Sequence, residues 1–412
     1  MMSPIQENGL DENRSRKNIV YFIFSTIVLD MLGIGLIIPV LPDVIRRFVT
    51  EQDSVNQLFG YFVAIYALMQ FLAAPVLGGL SDHFGRRPIL LGSLFGASID
   101  YIFMAFASSL PLLFVGRVIS GLTGASMTVA NSYMADISTD KNRAANFGMI
   151  GAAFGIGFIG GPLIGGVLGH ISSTAPFIAA AVLNCINFLF GIFILPESLL
   201  EKHRRKIEFR KLNPFLSISR TLKTPALFYF VGIYTLLFMA GNVHPSVWTL
   251  YTEYKFGWTS VQVGISLSFV GLVYGFSQAV LSKKLVPRWG EQRALKIGIL
   301  FTGLAFLLYA LVPVGWMMYA VMALTSLSAL AIPCLQAIMT KQVDPDRQGE
   351  LQGGLVSLSS LTSIVAPVLY TSSFSWAMGA GNLFGFAGLP YLIAAFIVFM
   401  SWILLLIQLR AS

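Results

Sequence analysis

Two aspartates and one arginine stand near the middle of long apolar segments of this sequence: Asp30, Asp100 and Arg117. A charged side chain at the centre of a hydrophobic span costs about 2.5–3.5 kcal/mol, so charges retained there usually serve a function. A carboxyl group in a dry pocket can take up a proton, whereas an arginine stays charged. An aspartate beside Arg117 could therefore switch between an ion pair and a neutral acid. A static ion pair of Asp30 with Arg117, or a purely structural Asp100, fits the same residues.

Further polar residues inside apolar segments are candidates for lining a cavity. His244 stands beside Asn242 and before Pro245, where it could titrate or bind a solute. A single histidine near a helix end is, however, more often a satisfied polar contact. The buried amides either line a cavity or hydrogen-bond neighbouring helices, and the sequence does not decide between these roles. Besides Asn242, they are Gln70, Asn184, Asn187, Gln278 and Gln336.

The composition is that of a membrane protein. Hydrophobic residues make up 56% and charged residues 11% of the 412 residues, and the mean hydropathy is +0.75. Soluble domains carry roughly 25% charged residues. Cys185 and Cys334 lie inside apolar runs, which gives neither a disulfide framework nor metal-ligand spacing. Because the sequence has no phosphate-binding loop, catalytic triad or haem motif, we expect no enzyme, no metal and no cofactor, and energy must come from a gradient.

The apolar segments predict twelve membrane-spanning helices. Each is about 20 residues long, the length needed to cross the hydrocarbon core. The first follows a polar stretch and is longer than a signal-peptide core, which predicts a retained helix. The predicted spans are 19–41, 57–80, 88–108, 110–133, 144–169, 175–195, 225–250, 259–282, 293–312, 315–339, 350–371 and 384–408.

The basic residues predict the orientation of these helices. With the N-terminus inside, 23 of the 27 Lys and Arg fall in inner segments and three in outer loops, and Arg117 lies within the fourth helix. By the positive-inside rule, both termini are cytoplasmic. The net charge of +8 thus reflects topology rather than nucleic-acid binding. We expect an integral multi-pass protein of a bacterial inner membrane.

A long polar segment divides the predicted helices into six plus six. We expect a cytoplasmic N-terminal segment at 1–18, a six-helix bundle at 19–195, a cytoplasmic central loop at 196–224 and a second six-helix bundle at 225–412. A repeat supports this division. Three pairs of residues share an offset of 205: Gly85 with Gly290, Gly148 with Gly353, and Pro162 with Pro367.

The loop between the second and third predicted helices carries a charged turn, with Gly78, Asp82, Gly85, Arg86 and Arg87. The glycines allow close approach of helix ends, and the aspartate can accept hydrogen bonds from a helix N-terminus or from arginine. This arrangement predicts a clamp on the cytoplasmic face, although ordinary positive-inside arginines would fit too. The equivalent stretch at 282–291 lacks the acid, so we expect only one strong clamp.

The fifth predicted helix is rich in glycine, with Gly157, Gly161, Pro162, Gly165 and Gly166 among its residues. Such residues are tolerated in membranes where neighbouring helices satisfy the backbone. Either this is a generic close crossing of helices, or it is a pliable seam against the other half that moves during alternating access.

Together, these motifs resemble those of the major facilitator superfamily, and within it the drug:proton antiporters with twelve helices, which include the tetracycline efflux proteins. The charged loop, the glycine-rich fifth helix and the helices around Asp30 and Arg117 carry the resemblance. Particularly similar stretches are Tyr66–Gln70, Gly96–Tyr101, Phe256–Trp258 and Leu351–Gly353. In the second half, Tyr274 and Thr302 stand where the tetracycline pumps carry a histidine and an aspartate.

The resemblance implies a fold of two six-helix bundles around a central cavity, with Asp30, Asp100 and Arg117 as coupling or substrate-path residues and Tyr274 as a cavity residue. It implies export of an amphipathic small molecule, such as a drug or a tetracycline-like compound, against proton influx. The expected partners are this substrate, protons and membrane lipids, and the expected state is a monomer. An exporter of an endogenous metabolite or siderophore, or a proton symporter that imports a polar solute, remains the alternative.

Overall fold

Twelve long helices form the chain, in a computed structural model that describes residues 9–124, 126–138, 143–199, 201, 204, 213, 215, 227–344, 348–379 and 385–411. Twelve helices are long and apolar enough to cross a membrane, as the sequence predicts. They are α1 (Ile19–Ile37), α2 (Gln52–Phe84), α3 (Arg86–Phe106), α4 (Leu110–Ile137), α5 (Gly148–Ile171), α6 (Ala175–Ile194), α7 (Phe228–Phe256), α8 (Ser260–Trp289), α9 (Glu291–Leu311), α10 (Gly315–Thr340), α11 (Leu351–Met378) and α12 (Leu389–Gln408).

Several boundaries differ from the predicted spans because polar end turns continue the helices. The first helical segment already begins at Gly9, and α2 begins at Gln52 rather than at 57. A short helix, Leu41–Arg46, follows α1. Residues 1–8 of the predicted N-terminal segment and nearly all of the predicted loop 196–224 lie outside the described residues.

Three helices in the second half are interrupted near their middles. Helix α7 has a turn at Asn242, α8 contains a π-helical turn at Ser277–Leu281, and α10 changes to a 3-10 turn at Ser328–Leu330. The mean hydropathy of each span stays high despite a few polar residues at these sites, so hydropathy predicts unbroken spans. These interruptions are properties of the fold that the sequence analysis missed.

The first six and the last six helices each pack together, and two extensive pairs of helices join these halves. Helix α1 packs on α5 and α6, and α12 packs on α7 and α9. The joining pairs are α5 with α8 and α2 with α11. They are related by the repeat: a Cβ on Gly60 of α2 would lie 3.0 Å from the Pro367 carbonyl oxygen of α11, and Gly264 of α8 abuts the carbonyl of Pro162 in α5. The prolines that the sequence pairs at an offset of 205 therefore occupy equivalent contacts.

Hydrogen bonds join the two halves toward one end of the molecule. We call the end that carries the loops after Phe84 and Trp289 the basic face, and the end that carries the Leu41–Arg46 helix the opposite face. Toward the opposite face, Ser260 Oγ of α8 donates to the Gly166 carbonyl of α5 over 3.2 Å, and Ser375 Oγ of α11 donates to the Asp53 carbonyl of α2 over 3.2 Å. The two halves are therefore closed against each other at the opposite face.

Large apolar side chains cover the outer surface of the helices. Phe193 is 84% exposed, Phe106 71% and Trp316 69%. In water this surface would strongly favour aggregation, whereas in a bilayer it contacts lipid tails. The exposure pattern agrees with a multi-pass membrane protein.

Candidate substrate and proton site

A buried ion pair joins α3 to α4. Arg117 Nη2 lies 3.3 Å from Asp100 Oδ2, and the exposed fractions of the two side chains are 11% and 1%. A Cβ on Gly116 would lie only 3.1 Å from Asp100 Oδ1, so glycine at this position makes room for the carboxylate. Because neither charge is well hydrated, each depends on the other for stabilisation.

Two aromatic rings of α2 complete the surroundings of Arg117. Its guanidinium carbon lies 4.9 Å from the ring centroid of Phe62 and 5.4 Å from that of Tyr66. Cation–π attraction at this range is stronger where water is excluded. The rings can therefore stabilise the arginine when Asp100 is neutral. Sequence reasoning missed both aromatics, because nothing in one sequence separates them from lipid-facing rings.

Asp30 belongs to the same cluster but approaches it from α1. It interacts electrostatically with Tyr66 and Tyr101, as does Asp100. The structure thus brings together Asp30, Asp100 and Arg117, the three charges predicted to act in proton coupling. The ion pair joins Arg117 to Asp100 over 3.3 Å, and both acids interact with the same two tyrosines. The coupling role itself stays a prediction.

The amide candidates of the first half hold helices in place. Gln70 Nε2 donates to the Tyr66 hydroxyl over 3.3 Å and to the Gly124 carbonyl over 3.0 Å. Because the first part of α4 ends at Gly124, the second contact links α2 to α4. Asn184 Nδ2 donates to the Ala180 carbonyl over 3.0 Å and is fully buried. These contacts favour the packing interpretation for Asn184, while Gln70 borders the Arg117 cluster.

The charged loop on the basic face forms a network within the first half. Gly85 adopts φ 107°, a backbone conformation that favours glycine, and so separates α2 from α3. Arg86 Nη1 lies 2.5 Å from Asp82 Oδ1, and its Nε lies 3.1 Å from Asp136 Oδ2 at the end of α4. Asp82 thus pairs with an arginine. The sequence predicted either this contact or one with a helix N-terminus. Asp136 was not among the predicted residues.

Glu197, just after α6, is the second residue of this network that the sequence analysis missed. Its carboxylate accepts from the backbone N–H of Arg86 over 2.8 Å and of Arg87 over 3.1 Å. These are the first N–H groups of α3, which have no partner within the helix and attract negative charge. Arg87 Nη2 in turn donates to the Ile192 carbonyl over 2.6 Å. An acid directly after the apolar α6 is the sequence signal that could have found Glu197.

The glycines of α5 divide between two neighbours. Gly157, Gly161 and Gly165 face α1, where a Cβ on Gly161 would lie 2.8 Å from the Gly35 Cα. Gly166 borders α8, and Pro162 borders both helices, with its ring against Gly35 of α1 and its carbonyl against Gly264 of α8. The motif therefore serves both a close crossing within its own half and the seam to the other.

The remaining candidates lie in the second half. Asn242 Nδ2 donates to the Phe238 carbonyl over 2.8 Å and to Thr362 Oγ1 over 3.3 Å, so it fastens the turn in α7 to α11. Gln278 Nε2 donates to the Ala329 carbonyl over 3.1 Å, and Gln336 hydrogen-bonds Tyr234. His244 and Tyr274 line a cavity, which Thr302 also lines.

The described residues contain no group of three or more His, Cys, Asp or Glu side chains that could hold a metal ion.

Twelve membrane-spanning helices, paired seams between two halves and buried charges at mid-depth define a membrane transporter of the major facilitator type. The chain belongs to the Major Facilitator Superfamily, whose profile matches residues 23–367.

Curated relatives place it within that family. It is 40% identical over 378 residues to the tetracycline resistance protein of class C from Escherichia coli, covering 92% of this chain and 94% of the relative. It is 41% identical to the class D protein from Salmonella ordonez, covering 84% and 87%. The multidrug resistance protein 2 of Bacillus subtilis is 28% identical, covering 86% and 88%.

Solved structures show the same fold. The human organic anion transporter MFSD10 superposes with a TM-score of 0.70 at 24% identity, covering 95% of this chain and 99% of the other. The nucleoside transporter NupG superposes with a TM-score of 0.76 at 14% identity, covering 96% and 99%. At such identities the likeness concerns the fold alone.

Proposed function

We propose that this protein exports an amphipathic small molecule of the tetracycline class in exchange for protons, by alternating access. The observation that carries the proposal is the ion pair of Asp100 and Arg117, buried between α3 and α4 with 1% and 11% of the side chains exposed. The names of relatives up to 41% identical support a drug as the cargo. Secondary transport needs no resident cofactor, because the proton gradient supplies the energy.

The proton cycle follows from the surroundings of the pair. When Asp100 is ionised, it stabilises Arg117 across 3.3 Å. When a proton neutralises the carboxyl, Arg117 loses that partner and depends on the rings of Phe62 and Tyr66. The two protonation states thus favour different positions of α3, α4 and α2, which is the differential stabilisation that a conformational switch requires. Asp30 offers a second carboxyl on the same cluster, through Tyr66 and Tyr101.

The orientation rests on the distribution of basic residues, 23 in the segments assigned to one side against three in the loops of the other. The positive-inside rule puts the basic face in the cytoplasm of a bacterial inner membrane. A conformation open to the cytoplasm would then receive the cargo. We propose that the two halves rock about the α5–α8 and α2–α11 seams, and that a single chain forms the whole pathway.

The test is transport in everted membrane vesicles from an Escherichia coli strain that lacks its own major efflux pumps. We expect tetracycline uptake that depends on an inside-acidic pH gradient, and collapse of that gradient by an ionophore to stop it. Asp100→Asn should abolish gradient-driven uptake at wild-type protein levels. Glu51→Gln, which alters an exposed acid on the opposite face, is the matched control and should transport normally.

The outcomes separate the alternatives. Accumulation of a solute together with proton influx would support a symporter and contradict the proposal. Gradient-driven uptake that survives Asp100→Asn and Asp30→Asn would disprove coupling by these carboxyls. Absence of transport for tetracycline and a panel of amphipathic drugs would point to a metabolite or siderophore as cargo.

A further inference from the structure

The second half contains two backbone interruptions that face each other. The π-helical turn Ser277–Leu281 of α8 lies beside the interrupted part of α10, which ends in the 3-10 turn Ser328–Leu330. Ser277 Oγ donates to the Ser326 carbonyl, and Gln278 Nε2 donates to the Ala329 carbonyl over 3.1 Å. Side chains of one interruption therefore satisfy carbonyls of the other.

Interruptions of this kind are informative in a membrane. Non-helical backbone at membrane depth is tolerated only where it is buried in protein or lines a cavity, and π-helical turns are frequent at functional sites. In transporters of several folds, discontinuous helices form the substrate site. The paired interruptions of α8 and α10 thus indicate a place where a ligand, rather than a neighbouring helix, contacts the protein.

A cavity of about 330 Å³ lies directly beside these interruptions, enclosed by α7, α8, α9 and α10. Thr325, Ser328 and Ala329 of the interrupted α10 segment line it, together with Tyr274, which precedes the π-helical turn of α8. Its size is within the range of small-molecule pockets. The cavity and the two interruptions form one continuous feature.

His244 forms one wall of this cavity within a group of aromatic rings. Its ring centroid lies 5.3 Å from Trp248, 5.5 Å from Phe306, 5.0 Å from Tyr309 and 5.6 Å from Tyr391. Nδ1 lies 3.5 Å from the Tyr391 hydroxyl. Of these rings, Phe306 and Tyr309 line the cavity together with His244, and their flat aromatic surface suits a planar ligand.

The hydroxyl groups of the cavity donate to the backbone, which leaves them to act mainly as acceptors toward a ligand. Thr302 Oγ1 donates to the Gly298 carbonyl over 2.8 Å, Thr325 Oγ1 to Met322 over 2.5 Å, and Ser328 Oγ to Thr325 over 2.6 Å. A hydroxyl whose hydrogen is engaged still accepts through its lone pairs. The lining contains no Asp, Glu, Lys or Arg, so the cavity does not offer a partner to a formal charge.

From these observations, we infer that the α7–α10 cavity is a second cargo subsite that binds an uncharged, planar, hydroxyl- or amide-bearing ring system. The charged part of the cargo would remain with the Asp100–Arg117 cluster in the other half. This inference rests on the proposed export function and names the part of the cargo that the second half recognises. It makes His244, Thr302 and Ser328 residues that determine specificity.

Site-directed labelling tests this location directly. In a chain with Cys185 and Cys334 replaced by serine, Ser328→Cys is introduced and its rate of reaction with a small maleimide is measured in detergent. We expect saturating tetracycline to slow labelling by at least about fivefold. The control is Ser357→Cys, a partly exposed position on α11 outside the cavity, whose labelling should not change.

Binding to two conservative variants provides the second measurement. Thr302→Val removes the hydroxyl at nearly constant volume, and His244→Phe keeps a ring without its nitrogens. Loss of a neutral hydrogen bond should raise the Kd of tetracycline about threefold to tenfold. Thr235→Val is the matched control on α7, because Thr235 Oγ1 donates to the Val231 carbonyl over 2.8 Å and does not line the cavity. Its Kd should equal that of the wild type.

Each outcome has one meaning. Suppose that wild-type vesicles transport tetracycline, but that tetracycline does not slow labelling at position 328 and binds both variants with the wild-type Kd. The second-subsite inference is then wrong, while the proposed export stands. If wild-type vesicles transport no amphipathic drug, the proposed function fails, and the inference fails with it. Should Ser328→Cys not fold, Ala329→Cys reports on the same wall.

Discussion

Arg46 and Glu253, which are 207 residues apart in the sequence, form an ion pair across the two halves on the opposite face. Arg46 Nη2 lies 2.8 Å from Glu253 Oε2, and its Nη1 lies 2.8 Å from Asp43 within the same short helix. Partial burial disfavours the arginine cation, but Glu253 and Asp43 outweigh this effect and raise the pKa of Arg46 above its ordinary value. Arg46 therefore stays charged at any physiological pH, and the pair fastens the closed end of the molecule.

Removing this pair should shift the conformational equilibrium. We expect Glu253→Gln to increase the population open toward the opposite face by roughly twofold to fivefold, since partly exposed ion pairs contribute up to about 1 kcal/mol. Distances between spin labels on that face measure the shift. Lys341→Gln is the control, because Lys341 pairs with Glu291 over 2.6 Å on the basic face, within the second half. An unchanged distance distribution in Glu253→Gln would show that apolar contacts alone close this end.

Substitutions at the Asp100–Arg117 pair should affect the stability of the protein and its transport activity differently. Asp100→Asn leaves Arg117 buried without its anion, which should cost about 3–5 kcal/mol and lower the Tm. Asp100→Asn combined with Arg117→Gln removes both charges and should recover most of that Tm. Gradient-driven transport should remain absent in the double variant. Thermal unfolding in detergent and vesicle transport measure the two properties, and recovery of transport in the double variant would contradict proton coupling through this pair.

Glu197 should be needed for order at the start of α3. Its carboxylate accepts from the first two N–H groups of that helix, and loss of a helix cap costs about 0.5–2 kcal/mol. We expect Glu197→Gln to increase amide hydrogen exchange at 84–90 severalfold. Ser198→Ala removes only a side-chain bond of 3.1 Å to Asp136 and should change exchange there much less. Equal exchange in both variants would mean that the arginine contacts, not the cap, order this loop.

Two adjacent glycines of α5 offer a matched pair of substitutions. A Cβ on Gly161 would lie 2.7 Å from the Leu32 carbonyl oxygen of α1, whereas a Cβ on Gly160 meets no described atom within 4 Å. We expect Gly161→Ala to separate α5 from α1, lowering the Tm by several degrees and transport by at least tenfold. Gly160→Ala should be neutral or slightly stabilising, because alanine favours helix. If the two variants behave alike, close packing of α5 on α1 is not essential.

Single-sequence reasoning was sufficient for the features that depend on composition along the chain. The twelve spans are confirmed because each needs only a run of apolar residues as long as the bilayer is thick. Asp30, Asp100 and Arg117 stood out because a charge in such a run is expensive, wherever its partner lies. The shared offset of Pro162 and Pro367 likewise predicted a repeat, which reappears as equivalent contacts at the two seams.

Other features depended on residues far apart in the sequence. The interruptions of α8 and α10 were also missed, because their apolar residues satisfy hydropathy whether or not the backbone is regular.

Composition along the chain is enough to predict twelve membrane crossings, three charges within the spans and a resemblance to known transporters. The pairing of Arg117 with Asp100, the closure at the opposite face and the cavity beside two interrupted helices emerge only in the folded molecule. The difference lies in the range of the forces involved. Partition into a bilayer is set residue by residue along the chain, whereas ion pairs, seams and cavities are set by distances of a few ångströms between helices.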